Sequence, residues 1–444
     1  MGRDFSISII KALRQRGFQA YLAGGCVRDF LLSREPADYD VATNATPAQV
    51  MEIFPETWAV GEQFGVVLVP IPEKERQGAK TGTIEVATFR SDVGYSDGRH
   101  PDEVRFSQTP QQDVLRRDFT INGMMLDPLT DEVLDFVGGK KDLRDKLIRA
   151  IGQPDARFGE DKLRMLRAVR FAARFNYVIE PATFEAVQHR ASEIRLVSRE
   201  RVRDELTKML TEGHGKSAFL LLDRTRLLEE VLPEISKMKG VEQPPEFHPE
   251  GDVFAHTLLL LDHLPSPVPA TLAWGALLHD VGKPATFRVA PDRIRFDDHV
   301  DVGIKIGEEI CQRLRFSNDD TAQILALIKN HMRFGHVSRM KESTLKRFMR
   351  LPGFDEHLAL HRADSLASHG NLSTYEFLKS KLNETPAQEF RPNILISGDD
   401  LIAAGYRPGP RFREILNAVE DAQLEGQLMS RDAALEYVER EFPL

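Results

Sequence analysis

The hydrophobic periodicity of this chain changes once along its length, and the change limits what it can fold into. Up to about residue 150, apolar and polar residues alternate in short runs. "QAYLAGG", "YDVAT", "FGVVLVPI", "GTIEVATF" and "EVLDFVG" read as short strands. "TPAQVMEIF" reads as a helix between them, with Thr46 as its cap and Pro47 at its first position. From about Asp155 the spacing is helical and stays so. In "EDKLRMLRAVRFAARF" the side chains of Leu163, Leu166, Val169 and Ala173 fall on one stripe. "SRERVRDELTKML" is another helix, with Ser198 as its cap.

The expected fold class is therefore an α+β head with a mixed sheet, followed by all-α domains. At 444 residues the chain exceeds one ordinary core. The boundaries read as a head at 1–150, a helical neck at 151–240, a histidine-rich domain at 241–370 and a helical tail at 371–444. "KGVEQPPEFHPEG", with three prolines and two glycines, marks a linker. "RSDVGYSDGRHPDEVRF" reads as a long mobile loop, and no internal repeat is present.

No apolar run is long enough to span a membrane, and the N-terminal stretch lacks the apolar core of a signal peptide. Cys26 and Cys311 stand too far apart in sequence for a disulfide framework or a clustered zinc site. A cytoplasmic location is expected. The net charge of −9 argues against a general nucleic-acid coat, yet Gly139 to Phe175 holds eleven Lys/Arg against five Asp/Glu. Such a basic strip on an acidic chain can hold phosphates or be a solvated helix face.

"YLAGGCVRDFLLSREPADYDVAT" concentrates the chemistry. Asp38 and Asp40, two apart on an expected strand, would point to one face. Two carboxylates there repel unless a cation lies between them, and Mg²⁺ suits one or two carboxylates plus substrate phosphates. Gly24 and Gly25 would let backbone N–H groups approach a triphosphate, and Arg28 would pair with a phosphate. Either motif alone is a common turn or surface pair; together they point to nucleotidyl transfer. Glu85, in "TIEVATFR", reads equally as a third carboxylate or as a solvent-facing strand residue.

"GGCVRDFLL…ADYDVATNATP" resembles the head of class II tRNA nucleotidyltransferases, the family of CCA-adding enzymes and bacterial poly(A) polymerases. The similarity continues over about the first 210 residues. "RRDFTIN" resembles the family's sugar-selecting motif, "VLDFVGG" the segment linking head to neck, and "EDKLRMLRAVRFAARF" the base-recognition helix. Departures are small: Ala37 stands where many relatives have Lys, Cys26 replaces a usual alanine, and Gly123 replaces a usual small residue.

The resemblance implies a polymerase-beta-like nucleotidyltransferase fold in which Asp38 and Asp40 are catalytic and hold Mg²⁺. It implies that Gly25 and Arg28 contact the triphosphate and Arg117 the nucleotide, with Asp118 and Asn122 near the ribose. Asp161 and Arg164 would form a protein template for the base, as i, i+3 neighbours on a helix. Arg167 and Arg170 would help hold the nucleotide, although Arg170 lies about half a turn from Asp161.

The histidines carry a second pattern: nine of the thirteen lie between residues 251 and 370. His256, His279, Asp280 and Asp364 follow the order H…HD…D, which resembles the HD family of metal-dependent phosphohydrolases. A divalent transition metal (Mn, Ni, Co) or Mg is the implied cofactor. His299 and His331 are placed to line the same pocket. Some tRNA nucleotidyltransferases resemble this layout, with phosphodiesterase, 2′-nucleotidase or phosphatase activity implied. "GDDLIAAGYRPGPRF" resembles the tail of such enzymes, and its "RPGP" also reads as a turn between helices.

The expected function is template-independent addition of CCA to the tRNA 3′ end from CTP and ATP, with no membrane partner and the oligomeric state left open. The "YSDGRHP" loop favours full CCA or A addition over CC-only addition. An A-adding enzyme and a bacterial poly(A) polymerase are the nearest alternatives. From another class, an HD phosphohydrolase with a non-catalytic RNA-binding head remains.

Overall fold

The computed structural model describes residues 2–59, 65–72, 82–93, 103–246 and 248–444. The chain separates into two compact units, Met1–Pro233 and Glu234–Leu444.

The first unit is built on a mixed sheet. Its strands are β1 (Ala20–Ala23), β2 (Asp40–Thr43), β3 (Trp58–Ala59), β4 (Val66–Pro70) and β5 (Thr83–Thr88), with β6 (Arg90–Val93) and β7 (Glu103–Phe106) forming a separate ribbon. β8 (Met124–Asp127) and β9 (Glu132–Asp135) complete the sheet, whose order is β3-β4-β5-β2-β1-β8-β9. All its neighbours are antiparallel except β2 and β5, which run parallel with Asp40 opposite Glu85. The alternation read in the sequence is the burial pattern: in β5, Ile84, Val86 and Thr88 are buried while Glu85 is exposed. Ala23, Ala42, Phe89, Val114 and Met125 form one apolar cluster of this unit. Thr46 caps the helix Pro47–Ile53 through a complete capping box with Gln49.

The segment read as one long loop differs at its ends. Arg90–Val93 and Glu103–Phe106 pair in an antiparallel register, because pairing supplies backbone partners that local composition does not reveal. The "YSDGRHP" stretch between them, on which the choice of added nucleotides was read, lies outside the described residues.

Helices follow the sheet. Leu163–Phe175 buries the stripe of Leu163, Leu166, Val169 and Ala173. Arg199–Thr211 starts after Ser198, whose side chain makes no capping hydrogen bond.

The second unit is helical apart from one short strand pair, Arg288–Val289 with Ile294–Arg295, among the described residues. Asp252 caps the helix Val253–Asp262 by accepting from the Ala255 N–H at 2.7 Å. The apolar helix Ala270–Leu278 ends just before His279 and Asp280. "RPGP" joins the helices Gly398–Ala403 and Pro410–Leu424, so the turn reading holds there.

One close approach shapes this unit. A Cβ on Gly282 would lie 2.0 Å from the His299 carbonyl oxygen and 2.6 Å from the Gly303 nitrogen. Only glycine lets the helix His299–Arg313 come that near to the His279–Asp280 turn. We expect Gly282→Ala to destabilise the Glu234–Leu444 unit by about 3 kcal/mol, the upper end of overpacking costs, because the obstacle is backbone. Urea unfolding of the full chain measures this; an unchanged transition would show that the helix yields freely.

Candidate functional site

β1 ends at Ala23, where Gly24 turns the chain with φ +78° into the helix Gly25–Leu31. A Cβ on Gly24 would lie 2.9 Å from Arg117 Nη1, so a glycine is what lets this guanidinium lie against the turn. The turn opens onto a cleft of about 520 Å³.

At one side of the cleft are two carboxylates. The parallel register of β2 and β5 sets Asp40 beside Glu85. Burial pushes the Asp40 carboxyl up to about 6; the Glu85 charge adds to the rise, Arg117 opposes it and Asp38 adds a smaller part. Asp38, expected on the same strand as Asp40, precedes that strand. β1 ends at the residue opposite Asp40, so the ladder begins there and Asp38 sits two residues earlier, exposed and off the cleft lining. The partner carboxylate of Asp40 in the cleft is Glu85, which sequence reading left open. Paired oxygen donors of like charge fit a hard divalent cation, which would relieve their repulsion.

Around this pair the cleft is lined by Gly25, Arg28, Arg117, Asp118, Asn122, Asp161, Arg164, Arg167 and Arg170, every nucleotide-binding residue anticipated from the sequence. Arg116, Phe171 and Arg174 join them without having been anticipated; only the helical repeat of arginines along 164–174 hinted at the last. The cations are fixed by acids. Buried Asp113 accepts from Arg116 on Oδ1 and from Arg117 on Oδ2, the latter at 3.2 and 3.0 Å. Arg28 donates to Asn122 Oδ1 at 2.6 Å and to Asp29 Oδ1 at 2.8 Å, with its guanidinium 4.6 Å from the centre of the Phe175 ring. Arg170 donates to Glu205 at 2.7 Å and lies over Phe171.

Arg167 donates through Nε and Nη2 to Asp118 Oδ2 at 2.9 and 2.6 Å. The other Asp118 oxygen accepts from the Phe119 N–H and from Asn122 Nδ2. Burial alone would raise this carboxyl, but Arg167 and these donors outweigh it and hold it down to about 2.

Asp161 and Arg164 are both at the cleft, but not as neighbours on one helix. Asp161 is extended, with φ −138° and ψ 106°, between the helices Pro154–Glu160 and Leu163–Phe175. Its carboxylate accepts from the Leu163 N–H at 3.0 Å and from Arg201 at 2.9 Å. A side chain that caps the following turn competes with continuing the helix, which is why the helix breaks there. Arg164 donates instead to Glu160 and to the Arg157 and Arg116 carbonyls.

A second cluster lies in the Glu234–Leu444 unit. His256, His279 and Asp364 converge, as do Asp280, His299 and His331. His279, His299 and His331 each present Nδ1 to the carbonyl three residues earlier, at 2.8, 2.9 and 2.7 Å. His256 Nδ1 faces Glu250 Oε1 at 2.6 Å. The buried Nε2 atoms of His256 and His279 make no hydrogen bond, although Asp364 Oδ1 and Asp280 Oδ2 lie 3.1 Å from them. Orphaned imidazole nitrogens beside carboxylates suit a divalent metal ion.

Three family models match in chain order: the poly A polymerase head domain at residues 20–149, the probable RNA and SrmB-binding site of polymerase A at 176–239, and the HD domain at 252–366. The CCA-adding enzyme of Lactobacillus gasseri is 30% identical over 435 residues, which is 97% of this chain and 95% of that protein. The chain belongs to the CCA-adding enzyme family. The CCA-adding enzyme of Lactobacillus helveticus is 38% identical over 238 residues, 54% of this chain, and the alignment spans 57% of that relative's length. A crystal structure of the Bacillus stearothermophilus CCA-adding enzyme in complex with CTP matches with a TM-score of 0.75 at 26% identity, covering 98% of this chain and 96% of that one. The mixed sheet and helical continuation described above are thus this family's architecture.

The Asp118–Arg167 pair gives a pH-dependent stability. A depressed carboxyl stabilises the fold above its unfolded pKa of about 4, and that contribution is lost as pH falls through the folded value of about 2. We expect Asp118→Asn to lower stability at neutral pH by on the order of 2 kcal/mol, with the gap to the parent closing between about pH 4 and pH 2. Denaturant midpoints across that range would reveal it; a gap constant with pH would refute the charge pairing.

Proposed function

We propose that this chain adds CCA, without a nucleic-acid template, to the 3′ end of tRNA from CTP and ATP. The reading is carried by one observation: a single cleft gathers a paired-carboxylate edge, a glycine turn and a ring of arginines, in a chain of the CCA-adding enzyme family. Within Met1–Pro233 we assign residues 1–150 to the head and 151–240 to a neck that runs just past it, followed by the HD domain at 241–370 and a tail at 371–444.

In this reading Asp40 and Glu85, with Asp38 at the margin, hold Mg²⁺. The bound ions supply Lewis acidity to the primer 3′-hydroxyl and to the departing pyrophosphate. The hydroxyl oxygen forms a bond to the α-phosphorus, its proton leaves, and the bond to pyrophosphate breaks. The chain's own part is positioning and charge. Arg28 and Arg117 meet the triphosphate beside the turn at Gly24 and Gly25. Asp118 and Asn122 lie at the ribose. Asp161 accepts from the exocyclic amine of C or A, and Arg164 donates to the neighbouring ring acceptor. Arg167 and Arg170, engaged with Asp118 and Glu205, act by holding those groups.

The test is an end-addition assay with tRNAs ending at the discriminator base, at C and at CC, given CTP, ATP and Mg²⁺, with the 3′ ends sequenced. CCA completed on all three is the expected result. A added only to the CC end would identify an A-adding enzyme, and long A tails a poly(A) polymerase. No addition would overturn the transferase reading. Glu85→Ala should cost on the order of 10²-fold in kcat, which a purely structural strand residue would not do.

The convergence of His256, His279, Asp280 and Asp364 favours a second activity, metal-dependent hydrolysis of phosphoesters, with Mn, Ni, Co or Mg as the ion. We expect His279→Ala to abolish ring opening of 2′,3′-cyclic nucleotides to monophosphates and release of phosphate from 2′-nucleotides, while leaving CCA addition intact. Equal loss of both activities would refute separate sites.

A further inference from the structure

We propose that Arg174 binds the γ-phosphate of the incoming nucleoside triphosphate and so makes the cleft select triphosphates over diphosphates. The proposal rests on the reading above that Asp161 and Arg164 meet the base and Arg28 the triphosphate, and adds a contact to it.

The difference between Arg174 and its neighbours carries the inference. Among the described residues, seven arginines line the cleft. Six of them donate to a side-chain oxygen of the protein at 3.0 Å or less. Arg174 is the exception. It reaches Glu212 Oε1 only at 3.5 Å, and Arg170 Nη1 shares that oxygen at the same distance. Such a separation is outside the usual range of about 2.7 to 3.2 Å. The Arg174 side chain is also 34% exposed. A guanidinium open to the cleft and loosely paired keeps its attraction for an anionic ligand.

Position along the helix Leu163–Phe175 says which anion. Arg164, Arg167, Arg170 and Arg174 succeed one another on it, and all four line the cleft. At the rise of an α-helix, Arg174 lies about 15 Å beyond Arg164. Between them Arg167 grips Asp118, the group assigned to the ribose. Arg28, assigned to the triphosphate, lies over Phe171 and Phe175. A nucleotide with its base at Arg164 therefore runs along the helix through ribose and phosphates toward Arg174. The group that arrives last is the terminal phosphate. In-line attack keeps the RNA 3′ end on the far side of the α-phosphorus from the pyrophosphate. The phosphates beside Arg28 and Arg174 are then those of the nucleotide.

The surroundings suit that charge. Arg28, Arg34 and Arg174 place their guanidinium carbons 4.6, 5.4 and 5.5 Å from the centre of the Phe175 ring. Three cations meet at one ring, and the terminal phosphate is the most highly charged of the three phosphates. Glu212 does not hold Arg174 firmly, since its buried Oε2 makes no hydrogen bond. A move of Arg174 onto a phosphate leaves Glu212 Oε1 to Arg170, whose own firm partner is Glu205 at 2.7 Å.

The test compares CTP with CDP. Binding of each to the full chain is measured by isothermal titration calorimetry with Mg²⁺ and without tRNA, so that no transfer occurs. The parent is expected to bind CTP at least about tenfold more tightly than CDP, the worth of one charge-assisted hydrogen bond. In Arg174→Ala that preference should vanish while the affinity for CDP stays as in the parent. Arg174→Lys, which keeps the charge, should retain part of it. Equal weakening of CTP and CDP in Arg174→Ala would make the residue part of the scaffold and overturn the proposal. A preference missing from the parent, or unchanged in Arg174→Ala, would overturn it too. In the latter case a raised KM for tRNA would assign Arg174 to an RNA phosphate instead. No binding of either nucleotide by the parent would overturn the nucleotide placement as well. Should Arg174→Ala not fold, crystals of the parent with CTP decide. An Arg174 nitrogen about 2.9 Å from a γ-phosphate oxygen supports the contact, and Arg174 still turned to Glu212 refutes it.

Discussion

Two carboxylates lying side by side across a parallel strand pair organise the first unit. Asp40 and Glu85 are brought into register by β2 and β5, and burial with the neighbouring charge lifts the Asp40 carboxyl to about 6. A fold that keeps such a pair at the edge of a cleft is poised for cations. The remaining features of the cleft answer that charge. Arg117 lies against the turn that ends β1, and Gly24 is the residue that leaves it room. Further guanidinium groups line the same cleft, suited to the phosphates that would accompany a metal ion.

The chain's own acids hold these arginines in place. Asp113 takes Arg116 and Arg117, Asp118 takes Arg167, and Glu205 takes Arg170. Phe171 and Phe175 lie beneath several of the same groups, so their planes are set by stacking as well as by charge. Clustered cations repel one another, and the buried acids offset that repulsion. Such an arrangement fixes side chains whose rotamer entropy would otherwise oppose ligand binding.

The HD cluster in the second unit uses a different device. Its histidines are oriented by backbone carbonyls and, at His256, by Glu250, leaving nitrogens turned toward Asp280 and Asp364. Here the helix ends are what matter. His279 and His331 each follow the last residue of a helix, and Nδ1 of each faces the carbonyl three residues back.

The sequence by itself determined the division into a sheet-bearing head and a helical remainder, because side-chain periodicity is local and is imposed directly by strand and helix geometry. It also determined which residue types gather at each site: Gly25, Arg28 and Asn122 in the cleft, and the H…HD…D order of the second unit, are legible because each motif is short. Tertiary structure decided the pairings. No local pattern says that Glu85, forty-five residues from Asp40, is its strand neighbour, or that Asp38 falls outside the ladder that Asp40 begins. Nor does spacing say that Asp161 leaves the helix to cap the next one and meets Arg201, or that Asp280 stands between two histidine sets. Register and helix breaks depend on contacts between distant segments, and those contacts exist only once the chain has closed around its core.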